Sequence, residues 1–232
     1  ETEEKIGNII FDIFKNSNEE INNPFVINTI DNIISKICIK NDINKEKIKL
    51  KILKNDEINA FALPSGYLVI YSGLIENTVN QQELSGVIAH EIAHIELQHV
   101  MKKLINEFGL SVLISMTTDL GSGTEMIKEI TKLLSSSSYS KKLEKEADLK
   151  AVDYLLNTNI DPEPFANFLY KLSKENHENN KYTSWISTHP ESRERAKYIV
   201  YRIKEEKEKN KNFSKIISNK NWDKLKKTLK TN

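Results

Sequence analysis

The sequence predicts an α+β fold, mainly helical with a small antiparallel sheet, on three observations. Apolar residues recur at helical spacing near the start and again from Asn80 onward. Between these stretches Ile48, Leu50 and Ile52 alternate with Lys47, Lys49 and Lys51, the period-two pattern of a strand with one face in water. Two short apolar runs then flank Pro64-Ser65-Gly66, which reads as a hairpin. Helices packed around so few strands make an α+β domain.

The elements follow in order. Ile6, Ile9, Ile10, Ile13 and Phe14 mark a first helix, Asn22-Asn23-Pro24 breaks it, and Ile30, Ile33, Ile34 and Ile37 mark a second. The alternating strand comes next, then the hairpin of Asn59-Ala60-Phe61-Ala62-Leu63 and Tyr67-Leu68-Val69-Ile70-Tyr71. Asn80 with Glu83 forms a helix cap and capping box, and Asp161-Pro162 is a cap followed by Pro at the first position. The low-complexity run Ser135 to Ser138 reads as a loop.

Hydrophobic residues at 38% and charged residues at 29% of 232 allow a sizeable core under a charged surface, which excludes a disordered or fibrous chain. The longest apolar stretches, such as Tyr67 to Tyr71, fall far short of the roughly 18 residues that span a membrane. Cys38 is the single cysteine, so no internal disulfide exists. The chain is read as one domain: N-terminal helices over 1–45, a core over 46–200 and a basic helical tail over 201–232. That tail carries a net +7 against +1 for the whole chain. It is either a solvated helix face or a basic surface. With few aromatics and no binding motif in it, nucleic acid is not an expected partner.

The chemistry concentrates at His90-Glu91-Ile92-Ala93-His94. At about 100° per residue, the two histidines lie about 40° apart and one turn along one helix face, where both can reach one zinc ion. Glu91 sits beside them, where a carboxylate can take a proton from water at a metal. The alternative is two core histidines making ordinary hydrogen bonds. Leu84, Ile88, Ile92, Ile95 and His99 form the apolar stripe of this helix. His99 therefore faces the opposite side and reads as structural, not as a ligand. A third ligand is available on a later helix, where Glu144 and Asp148 stand one turn apart. The pair suits a ligand carboxylate plus a carboxylate that holds a ligand histidine by its other ring nitrogen. Glu146 points away and reads as a surface residue. Thr188 with Glu191 forms a capping box with Pro190 in the first turn, which puts His189 at a helix N-terminus. There a neutral imidazole is favoured, able to donate to an oxyanion. The other reading is a histidine simply packed at a helix start. The strand Tyr67 to Tyr71 is expected to offer an unpaired edge, with Tyr67, Leu68 and Val69 against an extended peptide; the alternative is a covered edge.

Four separated motifs in order resemble the HtpX and CAAX prenyl-endopeptidase family of gluzincin metallopeptidases. They are Asn59 through Gly66, the HExxH helix, Ser140-Lys141-Lys142-Leu143-Glu144 into Ala147-Asp148, and Thr188-His189-Pro190. The resemblance spans about residues 55–200. It implies a mainly helical zincin-like metallopeptidase domain with HExxH on a central helix. It also implies one zinc ion held by His90, His94 and Glu144, with Glu91 as general base. By the same resemblance His189 and Arg195 belong to the active site and Asn59 helps to hold the substrate chain; Arg195 is equally readable as a surface ion-pair residue. His189 can also approach the metal and block it. Lys141 departs from the Arg usual in the family, which keeps the charge and loses the bidentate fork.

The expected function is a zinc-dependent endopeptidase acting on proteins or peptides, misfolded envelope proteins among them. The alternative is a zinc-binding chaperone or adaptor with a blocked site. The chain opens on Glu1, as expected of a processed or trimmed form. The soluble, exported bacterial branch of the family is the better match, with periplasmic or envelope-associated localisation and a lipid anchor or peripheral membrane contact set by what precedes Glu1. Segment 109–134 lies where the family has a variable insert, and reads as a lid, a membrane-facing helix or core packing.

Overall fold

The computed structural model describes residues 2–118, 124–136, 138–174, 182–190, 192–207 and 212–231. The first half holds α1 (Thr2–Ser17), β1 (Glu19–Glu20), α2 (Pro24–Lys40), β2 (Lys49–Lys54), β3 (Ala60–Leu63), β4 (Tyr67–Tyr71), α3 (Ser72–Asn77), α4 (Gln81–Glu96) and α5 (His99–Phe108). Then follow α6 (Leu110–Thr118), α7 (Thr124–Ser136), α8 (Lys141–Asn157), α9 (Glu163–Leu172), α10 (Thr183–Thr188), α11 (Ser192–Lys207) and α12 (Asn219–Thr231). The α+β class is as expected: helices dominate around one four-stranded sheet. The run Ser135 to Ser138 differs from the expected loop, since Ser135 and Ser136 close α7 and Ser137 lies outside the described residues.

The strand order is β1-β2-β4-β3, and the sheet is mixed. The hairpin β3–β4 is antiparallel, as is β1–β2, but β2 and β4 run parallel. The hairpin's second strand takes the centre because all five of its residues are apolar and buried. A continuous apolar run suits a strand covered on both faces, whereas alternation suits one half in water. Leu68 and Ile70 face the main core with α2 and α4, while Tyr67, Val69 and Tyr71 join a second cluster with Ile6, Ile10, Phe11 and Phe14 of α1.

That second cluster corrects the expectation of a sheet face in water. Helix α1 covers it, with Phe11 stacked on Tyr67 at 4.9 Å between ring centroids. The lysines of the alternating strand stay at the margin, Lys49 Nζ 4.9 Å above the Tyr67 ring and Lys51 Nζ 5.0 Å above Phe11. Lys49 Nζ also donates to Ser65 Oγ at 3.0 Å and Lys51 Nζ to Glu20 Oε1 at 2.8 Å. Helices α6 and α7 add Leu113, Ile130 and Leu134 to this cluster, so one side of segment 109–134 is core packing. Leu110 and Ile114 remain exposed, and 119–123 lie outside the described residues.

The hairpin turn depends on Gly66, whose φ is +77°. A Cβ there would also lie 1.8 Å from the Lys47 carbonyl oxygen. Left-handed backbone alone costs a non-glycine residue about 1–3 kcal/mol. Gly66→Ala is expected to lose at least that much, read as a lower midpoint of urea unfolding.

The basic tail docks against the core. Trp222, Leu225 and Leu229 of α12 are buried in the main cluster. Gln81 at the start of α4 anchors the approach, its Oε1 accepting from the amides of Ile216 at 2.8 Å and Ile217 at 2.6 Å. No described helix is long and apolar enough to cross a membrane.

Candidate metal centre

Helix α4 runs through the middle of the molecule because it is capped at its start and small or apolar along its length. Asn80 accepts from the Glu83 amide at 2.9 Å, and Glu83 Oε2 accepts from the Val79 amide at 2.7 Å. Gly86 lets α9 approach so closely that a Cβ would meet Phe165 at 2.3 Å. From Leu84 to His94 every residue is buried, so the polar face of this helix looks into the protein and not into bulk water.

His90 and His94 sit one turn apart with no exposed surface, their Nε2 atoms 3.0 Å apart. Helix α8, capped by Ser140, brings Glu144 opposite them. Its Oε2 is 3.6 Å from His90 Nε2 and its Oε1 is 3.4 Å from His94 Nε2. His189 completes the group, with Nδ1 3.1 Å and 3.2 Å from the two Glu144 oxygens. Each of the four offers a donor atom, and these atoms lie within 4.8 Å of one another. Two imidazoles and a carboxylate converging in a buried space are the donor set that suits zinc.

The surroundings hold these donors in place. Asp148 Oδ1 stands 2.9 Å from His90 Nδ1, the nitrogen turned away from Glu144. Arg195 is 2% exposed, which settles its position against the surface reading. Its Nε and Nη2 donate to the two Asp148 oxygens at 2.8 Å each, and its Nη1 lies 2.6 Å from Glu144 Oε2. The same Nη1 donates to the His189 carbonyl at 3.2 Å. Tyr198 donates its hydroxyl to Asp148 Oδ2. One guanidinium thus ties both carboxylates of α8 to α11 and to the turn at His189.

Charge follows burial and pairing. Against burial, which would raise them, the Arg195 guanidinium holds Glu144 well below the usual carboxylate range and Asp148 at about 2. Burial pushes His90 down to about 3 against the pull of Asp148, so its imidazole is neutral, the form that binds metal. Glu91 differs from the two buried acids of α8. It has no exposed surface, and neither of its oxygens has a hydrogen-bond partner among the described residues. Burial pushes it up to about 8, opposed by His94. His189 Nε2 lies 3.4 Å from Glu91 Oε1 and likewise has no hydrogen-bond partner among the described residues.

Three sequence expectations are corrected here. His189 does not start a helix. It is the C-cap of α10, and Thr188 is the last residue of that helix, its hydroxyl bonded to the carbonyls of Ser184 and Trp185. Glu191, the other half of the expected capping box, lies outside the described residues. The Trp185 ring stacks on His189 at 4.3 Å. Second, Tyr67, Leu68 and Val69 lie on β4, which is paired on both edges, so their main chain has no free edge to offer. The outer position on that side belongs to β3, which lies beside α4 and whose four residues are buried. Asn59 precedes β3, is buried, and donates its Nδ2 to Ser184 Oγ at 2.9 Å; its Oδ1 has no partner among the described residues.

The third correction concerns His99. Helix α4 ends at Glu96 and Gln98 takes a left-handed φ of 54°, so the count of 100° per residue does not carry through. The chain turns, and His99 folds back with Nδ1 3.1 Å from His94 Nδ1. No Gly or Pro marks this break in the sequence. Tyr139 was missed as well: its ring stacks on His94 at 4.2 Å. Glu146 is half-exposed, as expected of a surface residue, yet its Oε2 lies 3.4 Å from His99 Nε2.

The model of Peptidase family M48 matches residues 26–203, which include the whole of this centre. The chain belongs to peptidase family M48. Among M48-type relatives it is similar to Metalloprotease LoiP of Escherichia coli (strain K12), 29% identical over 171 residues, which are 72% of this chain and 67% of LoiP. It is also similar to the Beta-barrel assembly-enhancing protease of Yersinia pestis, 26% identical over 181 residues, 73% of this chain and 37% of that protein. Metalloendopeptidase OMA1, mitochondrial, of Bos taurus is 27% identical over 163 residues, 65% of this chain and 31% of that protein. The M48 chain described here thus spans only about a third of the last two.

Proposed function

We propose that this M48 member is a zinc-dependent endopeptidase, with His90, His94 and Glu144 holding one zinc ion and Glu91 acting as general base. The observation that carries the reading is the convergence of three buried donor groups next to a buried carboxylate that has no hydrogen-bond partner among the described residues. Buried polar groups are almost always hydrogen-bonded, so Glu91 oxygens without a hydrogen bond among the described residues, beside a metal-type donor set, fit a place for reacting groups. When bound there, zinc supplies Lewis acidity, polarising a carbonyl and making water more acidic. Glu91 accepts the proton of the attacking water and returns it to the leaving amine. His189 Nε2, beside Glu91, donates to the carbonyl oxygen as charge develops on it. The peptide lies along the outer edge of β3, with Asn59 at its end.

The pattern of motifs supports a likeness to the HtpX and CAAX prenyl endopeptidases within M48. The substrates we propose are envelope proteins. One relative is named for β-barrel assembly, and such barrels stand in bacterial outer membranes. Export and an upstream signal or anchor belong to the same reading, with residues 46–200 as the catalytic core.

The second reading, a zinc-binding chaperone or adaptor, rests on His189 Nδ1, which reaches both Glu144 oxygens and can serve as a fourth ligand. Elemental analysis of protein purified without added metal, together with casein cleavage, separates the two. The endopeptidase binds about one zinc per chain and loses cleavage on chelation, as expected for a three-residue protein ligand set. The blocked form binds zinc, cleaves nothing, and gains cleavage on His189→Ala. Absence of zinc overturns both.

A further inference from the structure

The two histidines of the HExxH motif are held from behind by different chemistry. His90 Nδ1 faces a carboxylate, Asp148, at 2.9 Å. His94 Nδ1 faces another imidazole, His99, at 3.1 Å. We infer that His99 is the positioning residue of the second metal ligand, accepting a hydrogen bond from His94 Nδ1 and so holding His94 Nε2 toward the metal. The inference rests on the zinc reading above and adds a residue to which that reading gives no part.

The geometry leaves one direction for the bond. If Nε2 of His94 is a metal ligand, its single ring proton is on Nδ1, which must donate. His99 Nδ1 is then the acceptor, and the proton of His99 lies on Nε2. Glu146 Oε2 stands 3.4 Å from that nitrogen without the geometry of a hydrogen bond, and its charge favours a proton on that side. Helix α8 thereby places a carboxylate behind each ligand histidine, Asp148 against His90 and Glu146 beyond His99. His99 itself has no exposed surface and is packed edge-on against His94, with ring centroids 4.9 Å apart at 76°.

The break after α4 is what makes this possible. A continuous helix would carry position 99 to the opposite face; the left-handed Gln98 returns it to the back of the ligand. Gln98 is neither Gly nor Asn, the residues that take this conformation most readily, so the turn is held at a cost in backbone strain. Partners of this kind fix the tautomer and ring orientation of a ligand histidine, and their loss costs about 10–100-fold in metal affinity.

The test measures zinc dissociation constants by chelator competition for the parent, His99→Phe and His99→Asn. Phe keeps a ring in the space and removes the acceptor; Asn is smaller but places an acceptor oxygen near the position of Nδ1. Zinc affinity is expected to fall about 10–100-fold in His99→Phe and to recover to within a few-fold of the parent in His99→Asn. A Phe variant that binds as tightly as the parent, or an Asn variant as weak as Phe, overturns the assignment. A parent that binds no zinc overturns the metal reading instead, so the two failures are distinct. Nitrogen-15 spectra of the zinc-loaded parent give a second measurement that needs no variant. The proton is expected on Nδ1 of His94 and on Nε2 of His99, and a proton found on His99 Nδ1 overturns the inference.

Discussion

Glu91→Gln is expected to lower casein cleavage by about 10²–10⁴-fold, the usual contribution of a general base, while zinc content stays at the parent level. The substitution changes one oxygen to nitrogen in a group with no exposed surface and no hydrogen-bond partner among the described residues, so packing around α4 is preserved. What it removes is the capacity to take a proton. Equal cleavage by the two proteins would end the assignment of Glu91 as base. The same variant has a stability signature. In the chelated protein, burial pushes Glu91 from 4.5 up to about 8. A carboxyl raised in this way binds its proton more tightly folded than unfolded, so its contribution to stability is present at low pH and lost as pH rises through that interval. The parent should therefore lose stability relative to Glu91→Gln between about pH 4.5 and 8 in urea unfolding of chelated protein.

Arg195→Met is expected to cost about 3–5 kcal/mol, the range for removing one partner of a buried ion pair. Arg195, Glu144 and Asp148 are each 2% exposed or less, and the guanidinium makes three contacts of 2.6–2.8 Å with the two carboxylates. Without it, two buried carboxylates on one face of α8 repel each other, and the turn at His189 loses its carbonyl contact. Met matches much of the side-chain volume, so the loss reports charge more than packing. Arg195→Lys should recover only part of it, since a point charge cannot reproduce the fork that meets both Asp148 oxygens. Urea unfolding of metal-free protein at neutral pH measures the cost, and a loss under about 1 kcal/mol would show that the carboxylates are balanced by other groups. The carboxylates of the parent are held low, so this part of its stability is lost as pH falls through their folded values, toward about 2 for Asp148.

Much of the centre was legible because its residues obey short-range rules. The spacing of His90 and His94 is a property of one helix turn, as is that of Glu144 and Asp148, and the capping residues Asn80 and Ser140 mark where those helices begin. The hairpin around Pro64 to Gly66 is equally local. His99 was misplaced for the complementary reason. Its position depends on one left-handed residue, Gln98, whose side chain carries no preference for that conformation. His189 was misplaced because Thr-His-Pro fits a helix start as well as a helix end, and only the hydroxyl of Thr188, bonded backward to Ser184 and Trp185, distinguishes them.

The partners across the sheet and between helices lay beyond local rules. Five consecutive apolar residues marked β4 as a strand, but its central place follows from two helical layers closing over both of its faces. Arg195 could be an outward or an inward residue of α11 until α8 and α11 met and enclosed it with Asp148 and Glu144. Helical period and cap chemistry are set by neighbours a few positions away, so the metal-type donors and their order can be read from the chain alone. Which strand lies at the sheet's edge, which histidine stands behind His94 and which charge neutralises the buried carboxylates of α8 are set by residues 5 to 51 positions apart, brought together only when burial makes leaving them unpaired too costly.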